Sequence, residues 1–301
     1  MLTGIRNRLR LFTDFTAKRD FPVPLSSLVH RATMAPAAIR GPRLIRSVKR
    51  NGDHLRVELA GQASPLFWPA ALPLSQLHAV ISECFCSDDW HYYETAETPV
   101  SPGDVVVDCG AAEGSFALKV ADRASVVVAF EPLPLFLTAL RRTFAGHPNV
   151  ILEPAAIGAR VDTAYLDGEG ICAAITSTPT GTVVPMTTID EWSATSNQQV
   201  DFIKADVEGY ELDVLRGASE VIRRDRPKLA ITSYHLANDW HQMTALISSI
   251  DPGYRFRVKG MVKREDGVVR PVMLHAWHPE RSRRSAPRLH ATTVSPSTNV
   301  D

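Results

Sequence analysis

The chain has 301 residues, 45% hydrophobic and 22% charged, an ordinary globular composition with room for one large or two small domains. Lys plus Arg and Asp plus Glu each number 33, but unevenly: residues 1–50 carry 11 Lys or Arg and 2 Asp, leaving 22 basic and 31 acidic side chains, a balance of −9, on the rest. Nothing resembling a membrane span of ~18 apolar residues or a secretory signal is present, and four Cys in so long a chain make no disulfide scaffold, which fits a reducing, cytoplasmic setting.

Residues 1–50 mix Arg, Pro and Ser with scattered apolar residues. They read as a basic, poorly ordered arm with one short helix near Ile5–Phe15. Such an arm suits contact with anionic lipid or nucleic acid, or a merely solvated end. Residues 51–100 read as an N-terminal cap. Alternation over His54–Leu59 predicts a strand with one exposed face, and the spacing of Leu74, Leu77, Val80 and Ile81 predicts a helix. Trp90, Tyr92 and Tyr93 follow, as packing residues or as one wall of a pocket. Cys84 and Cys86 stand at a Cys-x-Cys spacing that matches no zinc or redox pattern, so no metal site is read.

The stretch Asp104–Pro132 organises the rest of the chain. Val105–Val107 is a short apolar run ending in Asp108, a small-residue turn spans Gly110–Gly114, and a helical pattern carries Phe116, Leu118 and Val120. A second apolar run, Val126–Phe130, ends in Glu131. Strand, glycine turn, helix and strand make one βαβ unit with strands buried on both faces. Ala112 stands where a dinucleotide fingerprint needs its second glycine. The remaining pattern, Asp108-x-Gly110-x-x-x-Gly114 with Glu131 closing the next strand, suits a nucleoside whose tail is not a pyrophosphate. The turn lets the backbone approach the ligand, the following helix N-terminus favours a carboxylate, and Glu131 can accept from both ribose hydroxyls. S-adenosylmethionine meets these demands. An ordinary tight turn with two acids at strand ends is the plainer alternative.

Beyond this unit, Pro132 starts a helix through Leu137, Leu140 and Phe144, and Asn149–Ile157 reads as a third strand. Residues 159–187 suit irregular β structure. Thr188 caps a short helix to Ser193, Val200–Ala205 is a fourth strand ending at Asp206, and Glu211–Arg216 is a helix stopped by Gly217. Lys228–Ser233 is a fifth strand ending at Tyr234 and His235, Asp239–Ile250 is helical, and Tyr254–Lys259 with Val272–Trp277 forms an antiparallel edge pair. Residues 279–301 read as a disordered tail. The fold class is therefore α/β: a doubly wound, mostly parallel seven-stranded Rossmann-like sheet over residues 101–278. Its ligands should lie at the carboxyl ends of the strands, where Asp108, Glu131, Asp206 and His235 fall.

Asp206, Glu208 and Glu211 crowd within six residues after the fourth strand, a pattern that raises carboxyl pKa values or binds a cation or a hydroxyl-rich ligand. Glu211 can equally serve as a first-turn acid facing the helix dipole. Four blocks now resemble the FkbM family of S-adenosylmethionine-dependent methyltransferases: VVDCGAAEGSF at 106–116, FEP at 130–132, AIG at 156–158 and KADVEGYELDVLRGA at 204–218. Family members often carry Asn at the position of Ala112. The resemblance spans roughly residues 100–278 and implies O-methylation of a hydroxyl, often on a sugar, glycan or secondary metabolite.

On that resemblance the cofactor contacts expected are Asp108, Gly110, Ala111, Gly114, Phe116, Glu131, Pro132, Ala156 and Asp206. Lys204, Glu208 and Glu211 are expected to face the acceptor, though a lysine inside an apolar strand run more often pairs with a nearby acid. His235, beside Asp206, is the candidate general base with an ordinary pKa near about 6.5. A buried structural histidine is the plainer reading. A nucleic-acid methyltransferase using the basic arm and an inactive binding module are the competing functions. The acidic main domain, and the absence of an Asn-Pro-Pro-Tyr-like element after the fourth strand, speak against nucleic acid. A small-molecule or glycan acceptor is the expected partner.

Overall fold

The computed structural model of the chain describes residues 13, 16, 20–167, 174–176, 182–235 and 239–281. The helix expected near Ile5–Phe15, Cys172 and the tail beyond 281 lie outside the described residues, apart from Thr13.

The first described elements are α1 (Leu25–Thr33), α2 (Ala37–Leu44), β1 (Ile45–Asn51), β2 (His54–Leu59), β3 (Leu66–Pro69) and α3 (Leu74–Phe85). Strands β1, β2 and β3 form an antiparallel sheet of three. The expectation of poor order up to residue 50 does not hold for these elements. Phe21, Val23 and Leu28 are buried in the same core as Trp68, Leu77 and Ile81, and Trp90 Nε1 donates to Ser27 Oγ at 2.9 Å. Pro24 and Pro36 stand just ahead of α1 and α2, where a missing N–H costs nothing. Burial against the main domain, not a long amphipathic repeat, orders this segment.

The main domain runs β4 (Val105–Cys109), α4 (Ser115–Ala121), β5 (Val126–Phe130), α5 (Pro134–Thr143), β6 (Val150–Glu153), β7 (Ala156–Ile157), β8 (Asp162–Asp167), β9 (Ala174–Thr176) and β10 (Thr182–Thr187). It continues with α6 (Ile189–Ser196), β11 (Phe202–Ala205), α7 (Glu211–Arg216), α8 (Ser219–Asp225), β12 (Lys228–Thr232), α9 (Trp240–Ile250), β13 (Arg255–Lys259), β14 (Val262–Lys263), β15 (Val269–Arg270) and β16 (Met273–Trp277). The central sheet has the order β13-β16-β12-β11-β4-β5-β6. Strands β12, β11, β4, β5 and β6 are mutually parallel, and β16 runs antiparallel to both of its neighbours. The fold is the expected doubly wound α/β sheet of the Rossmann-like type with an antiparallel edge pair.

Alternation along the central strands feeds one core on each face. Val106, Val127 and Phe202 join α4 and the N-terminal elements, whereas Val107, Val128 and Ile203 join α6 to α9. The residues expected to form a cap therefore share one face of the sheet with α4 and α5. The expected third strand divides at Pro154, which cannot donate to a ladder. Strand β6 stays in the central sheet, while β7 pairs with β10 in a second sheet ordered β7-β10-β8-β9. Gly217 ends α7 as expected, but its φ of −75° is not left-handed. A Cβ there would lie 2.1 Å from the Gly158 carbonyl oxygen, so close packing of the two chain segments demands glycine.

Candidate active site

A cavity of about 320 Å³ opens at the carboxyl ends of β4, β5, β11 and β12. Its lining joins the two sequence blocks that lie farthest apart: Gly110, Ala111, Phe116, Glu131 and Pro132 from the first βαβ unit, and Asp206, Glu208 and His235 from the later strands. Ala156 lines it as well. Asp108 and Gly114 do not. Asp108 is fully buried behind the turn, and Gly114 packs against Leu140 and Phe144.

The turn is shaped by its own backbone. Gly110 has φ +72°, and a Cβ there would meet the Asp206 carbonyl oxygen at 2.1 Å, so the end of β11 can approach the turn only if residue 110 is glycine. Ala112 has φ +46°, a left-handed conformation that Asn adopts more readily than Ala, which gives a physical reason for the family's Asn. The Ala112 amide donates to Glu131 Oε2 and the Leu133 amide to Oε1, both at 2.8 Å. Burial pushes the Glu131 carboxyl up to about 7 in spite of these two donors. Each oxygen retains capacity for a further bond on the cavity side.

Lys204 stands opposite Asp108 in register between β11 and β4. Its ammonium lies 3.0 Å from Asp108 Oδ1 and donates to the carbonyls of Cys109 at 3.2 Å and Gly110 at 2.6 Å. Burial disfavours the charge, yet Asp108 and Asp206 hold its pKa above the ordinary value. Two hydrogen bonds and the ion pair hold the turn, the pairing with a nearby acid that the apolar strand run suggests, although Lys204 also lines the cavity.

Glu211 likewise takes its structural reading. It is fully buried, Oε1 accepts from the Val207 amide at 3.0 Å and from Thr232 Oγ1 at 2.9 Å, and Oε2 accepts from the Gly209 amide at 3.1 Å. It fastens the loop after β11, where Glu208 and Gly209 both have positive φ. Glu211 Oε1 also lies 2.8 Å from His235 Nδ1.

His235 is 4% exposed, and its Nε2 lies 3.3 Å from Glu208 Oε2 and 3.8 Å from Asp206 Oδ1. Burial opposes its charge, but the hydrogen bond to Glu211 and the three surrounding carboxylates raise its pKa to about 9. The imidazole is therefore already protonated near neutrality, and the expectation of a base titrating near 6.5 does not fit this surrounding. Asp206 is also buried, which pushes its carboxyl up, but His91, Lys204 and His235 bring it down to about 2. Tyr93 donates to Asp206 Oδ2 at 2.6 Å and meets Phe116 edge-on at 5.3 Å, so one of the aromatics ahead of β4 does form a cavity wall. Trp90 instead packs against Gly260, and Tyr92 lies under Lys119. Tyr234, named at the end of the fifth strand, also lines the cavity, as do His91 and Arg264, which were not singled out from the sequence because each arrives from a segment without a motif.

Residues 108–257 match the methyltransferase FkbM domain family. The chain belongs to the FkbM methyltransferase family. No curated protein matches it. A crystal structure of an FkbM methyltransferase from Methylobacillus flagellatus KT is 22% identical with a TM-score of 0.48, covering 68% of this chain and 54% of that one. This chain thus spans about half the length of that FkbM protein. TYW2 from M. jannaschii, in complex with AdoMet, is 13% identical with a TM-score of 0.42, covering 76% and 88%. Fibrillarin from Aeropyrum pernix, with natively bound S-adenosyl-L-methionine, is 16% identical with a TM-score of 0.38, covering 77% and 98%. The fold assignment rests on the strand order of the chain itself and on its FkbM domain.

Proposed function

We propose that the protein is an S-adenosylmethionine-dependent O-methyltransferase acting on a hydroxyl of a small molecule or glycan. One observation carries the reading: three of the FkbM blocks, the glycine turn, the block with Glu131 and the segment after β11, line a single cavity. The donor set suits the cofactor. Glu131 can accept ribose hydroxyls, Phe116 and Pro132 offer apolar surface, and Gly110 and Ala111 present backbone without side-chain bulk. S-adenosylmethionine, when bound, supplies an already activated methyl group, so holding the acceptor in line contributes much of the rate.

The chain's own residues do the holding. Tyr93 fixes one oxygen of Asp206, and Glu211 fixes the ring of His235, so that both side chains present a set geometry to the acceptor end of the cavity. In this reading His235 and Asp206 position the acceptor and do not take its proton.

The test pairs isothermal titration of S-adenosylmethionine with a turnover assay that follows S-adenosylhomocysteine release over a panel of sugars, hydroxylated metabolites and RNA. Binding with turnover on a hydroxylated small molecule or sugar is expected. Binding without turnover on any acceptor would favour an inactive binding module, and salt-dependent turnover on RNA alone would overturn the acceptor class.

A further inference from the structure

We propose that His235 Nε2, Asp206 and Glu208 form a divalent-cation site at the acceptor end of the cavity, with Glu211 as the carboxylate that orients the imidazole. The cation site stands on geometry alone; only its consequence for the acceptor rests on the methyltransferase reading.

Donor atoms of Asp206, Glu211 and His235 lie within 4.8 Å of one another. Within this cluster the roles divide. Both oxygens of Glu211 already accept from the loop and from Thr232, and Oε1 faces His235 Nδ1 at 2.8 Å. That contact keeps a proton on Nδ1 and turns Nε2 away from Glu211, so a cation arriving at Nε2 displaces only the second proton of the imidazolium. Nε2 is buried and makes no hydrogen bond, on a residue 4% exposed. It faces Glu208 Oε2 at 3.3 Å and Asp206 Oδ1 at 3.8 Å.

A carboxylate behind a histidine, with the far nitrogen aimed at further carboxylates, is the arrangement that fixes tautomer and ring orientation in metal-ligating histidines. Asp206 is oriented likewise. Tyr93 donates to its Oδ2, and the single Thr232 proton goes to Glu211 at 2.9 Å in preference to Asp206 Oδ1 at 3.2 Å, which leaves Oδ1 for an ion. Glu208 is held at φ +52°, a conformation that a non-glycine residue adopts at a cost, and its side chain is one-third exposed to the cavity. One imidazole and two carboxylates suit a borderline divalent ion such as Mn²⁺ or Zn²⁺.

Three protein ligands leave coordination positions open toward the cavity, where Tyr234 and Arg264 stand. An acceptor with two adjacent oxygens, such as a vicinal diol, would fill two of them. A hydroxyl bound to the cation loses its proton to water more easily, breaking the O–H bond and leaving the electron pair on oxygen. That supplies an activated acceptor in a site whose histidine is not free to act as a base. The two acids belong to the cluster that the sequence offers to a cation, whereas the histidine escapes that pattern because it comes from a different strand and follows Asp206 by 29 positions.

The experiment uses the full chain, treated with chelator and dialysed, and titrated with Mn²⁺ and separately with Zn²⁺. Paramagnetic resonance of bound Mn²⁺ should show a nitrogen coupling from one histidine. Glu208→Gln, at a partly exposed position, should weaken binding by at least about tenfold, and His235→Gln should abolish the nitrogen coupling. Absence of saturable binding of either ion at millimolar concentration, or binding unchanged in Glu208→Gln and without a nitrogen coupling in wild type, overturns the site. S-adenosylmethionine is titrated on the same preparation. Cofactor binding without ion binding sinks only the cation site, and ion binding without cofactor binding sinks only the methyltransferase reading.

Discussion

Lys204 and Asp108 are neighbours in register on the two central parallel strands, and their side chains meet 3.0 Å apart beneath the glycine turn. The pair is buried, and the ammonium also holds the Cys109 and Gly110 carbonyls. Lys204→Met leaves a buried carboxylate without its ion-pair partner and two carbonyls without their donor. Removing one partner of a buried ion pair costs roughly 3–5 kcal/mol. Urea unfolding should show a loss of that order; a loss below about 1 kcal/mol would show that the turn does not depend on this lysine.

Glu131 links the turn to the proposed ribose contact. With its carboxyl raised to about 7, the folded state favours the protonated form, so the stability it contributes is present below the ordinary carboxyl range and is lost as pH rises through about 7. Cofactor affinity should run the other way, because the ionised carboxylate is the better acceptor. Titrations between pH 5.5 and 8.5, on the order of one unit or more either side of that value, should show affinity climbing to a plateau in the wild type and staying flat in Glu131→Gln. Glu131→Ala should lose affinity at least about tenfold. A flat wild-type profile would remove Glu131 from the contact.

Ala112 holds a left-handed conformation at φ +46° without a side chain that favours it. A left-handed non-glycine residue costs roughly 1–2 kcal/mol, and Asn tolerates the region better. Ala112→Asn should raise the melting temperature by a few degrees, whereas Ala112→Val should lower it. Equal melting of all three proteins would mean that the turn stores no such strain.

The N-terminal segment gives a fourth outcome. Phe21, Val23 and Leu28 are buried against the core shared with the main sheet. Burial of each such side chain is worth roughly 1.5–3 kcal/mol. A fragment starting at residue 45 should therefore melt well below the full chain or fail to fold, which calorimetry decides. A fragment as stable as the full chain would show that α1 packs without contributing.

Sequence carried the sheet well where strands are buried on both faces, because runs such as Val105–Val107 and Val126–Phe130 admit few other structures. It also placed Asp108, Glu131, Asp206 and His235 at strand ends, since each position is set by where its run stops. It could not assign roles that depend on partners distant in the chain. For Lys204 and Glu211 the sequence leaves a ligand and a structural reading both open, and only contacts with Gly110 and Thr232 show how the scaffold uses them. The protonation of His235 is set by Glu208 and Glu211 across a loop, and the Tyr93 wall by folding of the N-terminal elements over the sheet. Order in residues 20–44 was invisible because only burial against the rest of the protein creates it.

The most direct measurement is a crystal structure of the protein grown with saturating S-adenosylhomocysteine. The account predicts the nucleoside in the cavity beyond Gly110, its ribose hydroxyls within hydrogen-bonding distance of the Glu131 carboxylate and its sulfur toward Asp206 and His235. A ligand bound elsewhere with Glu131 untouched, or no ligand at saturation, would contradict it.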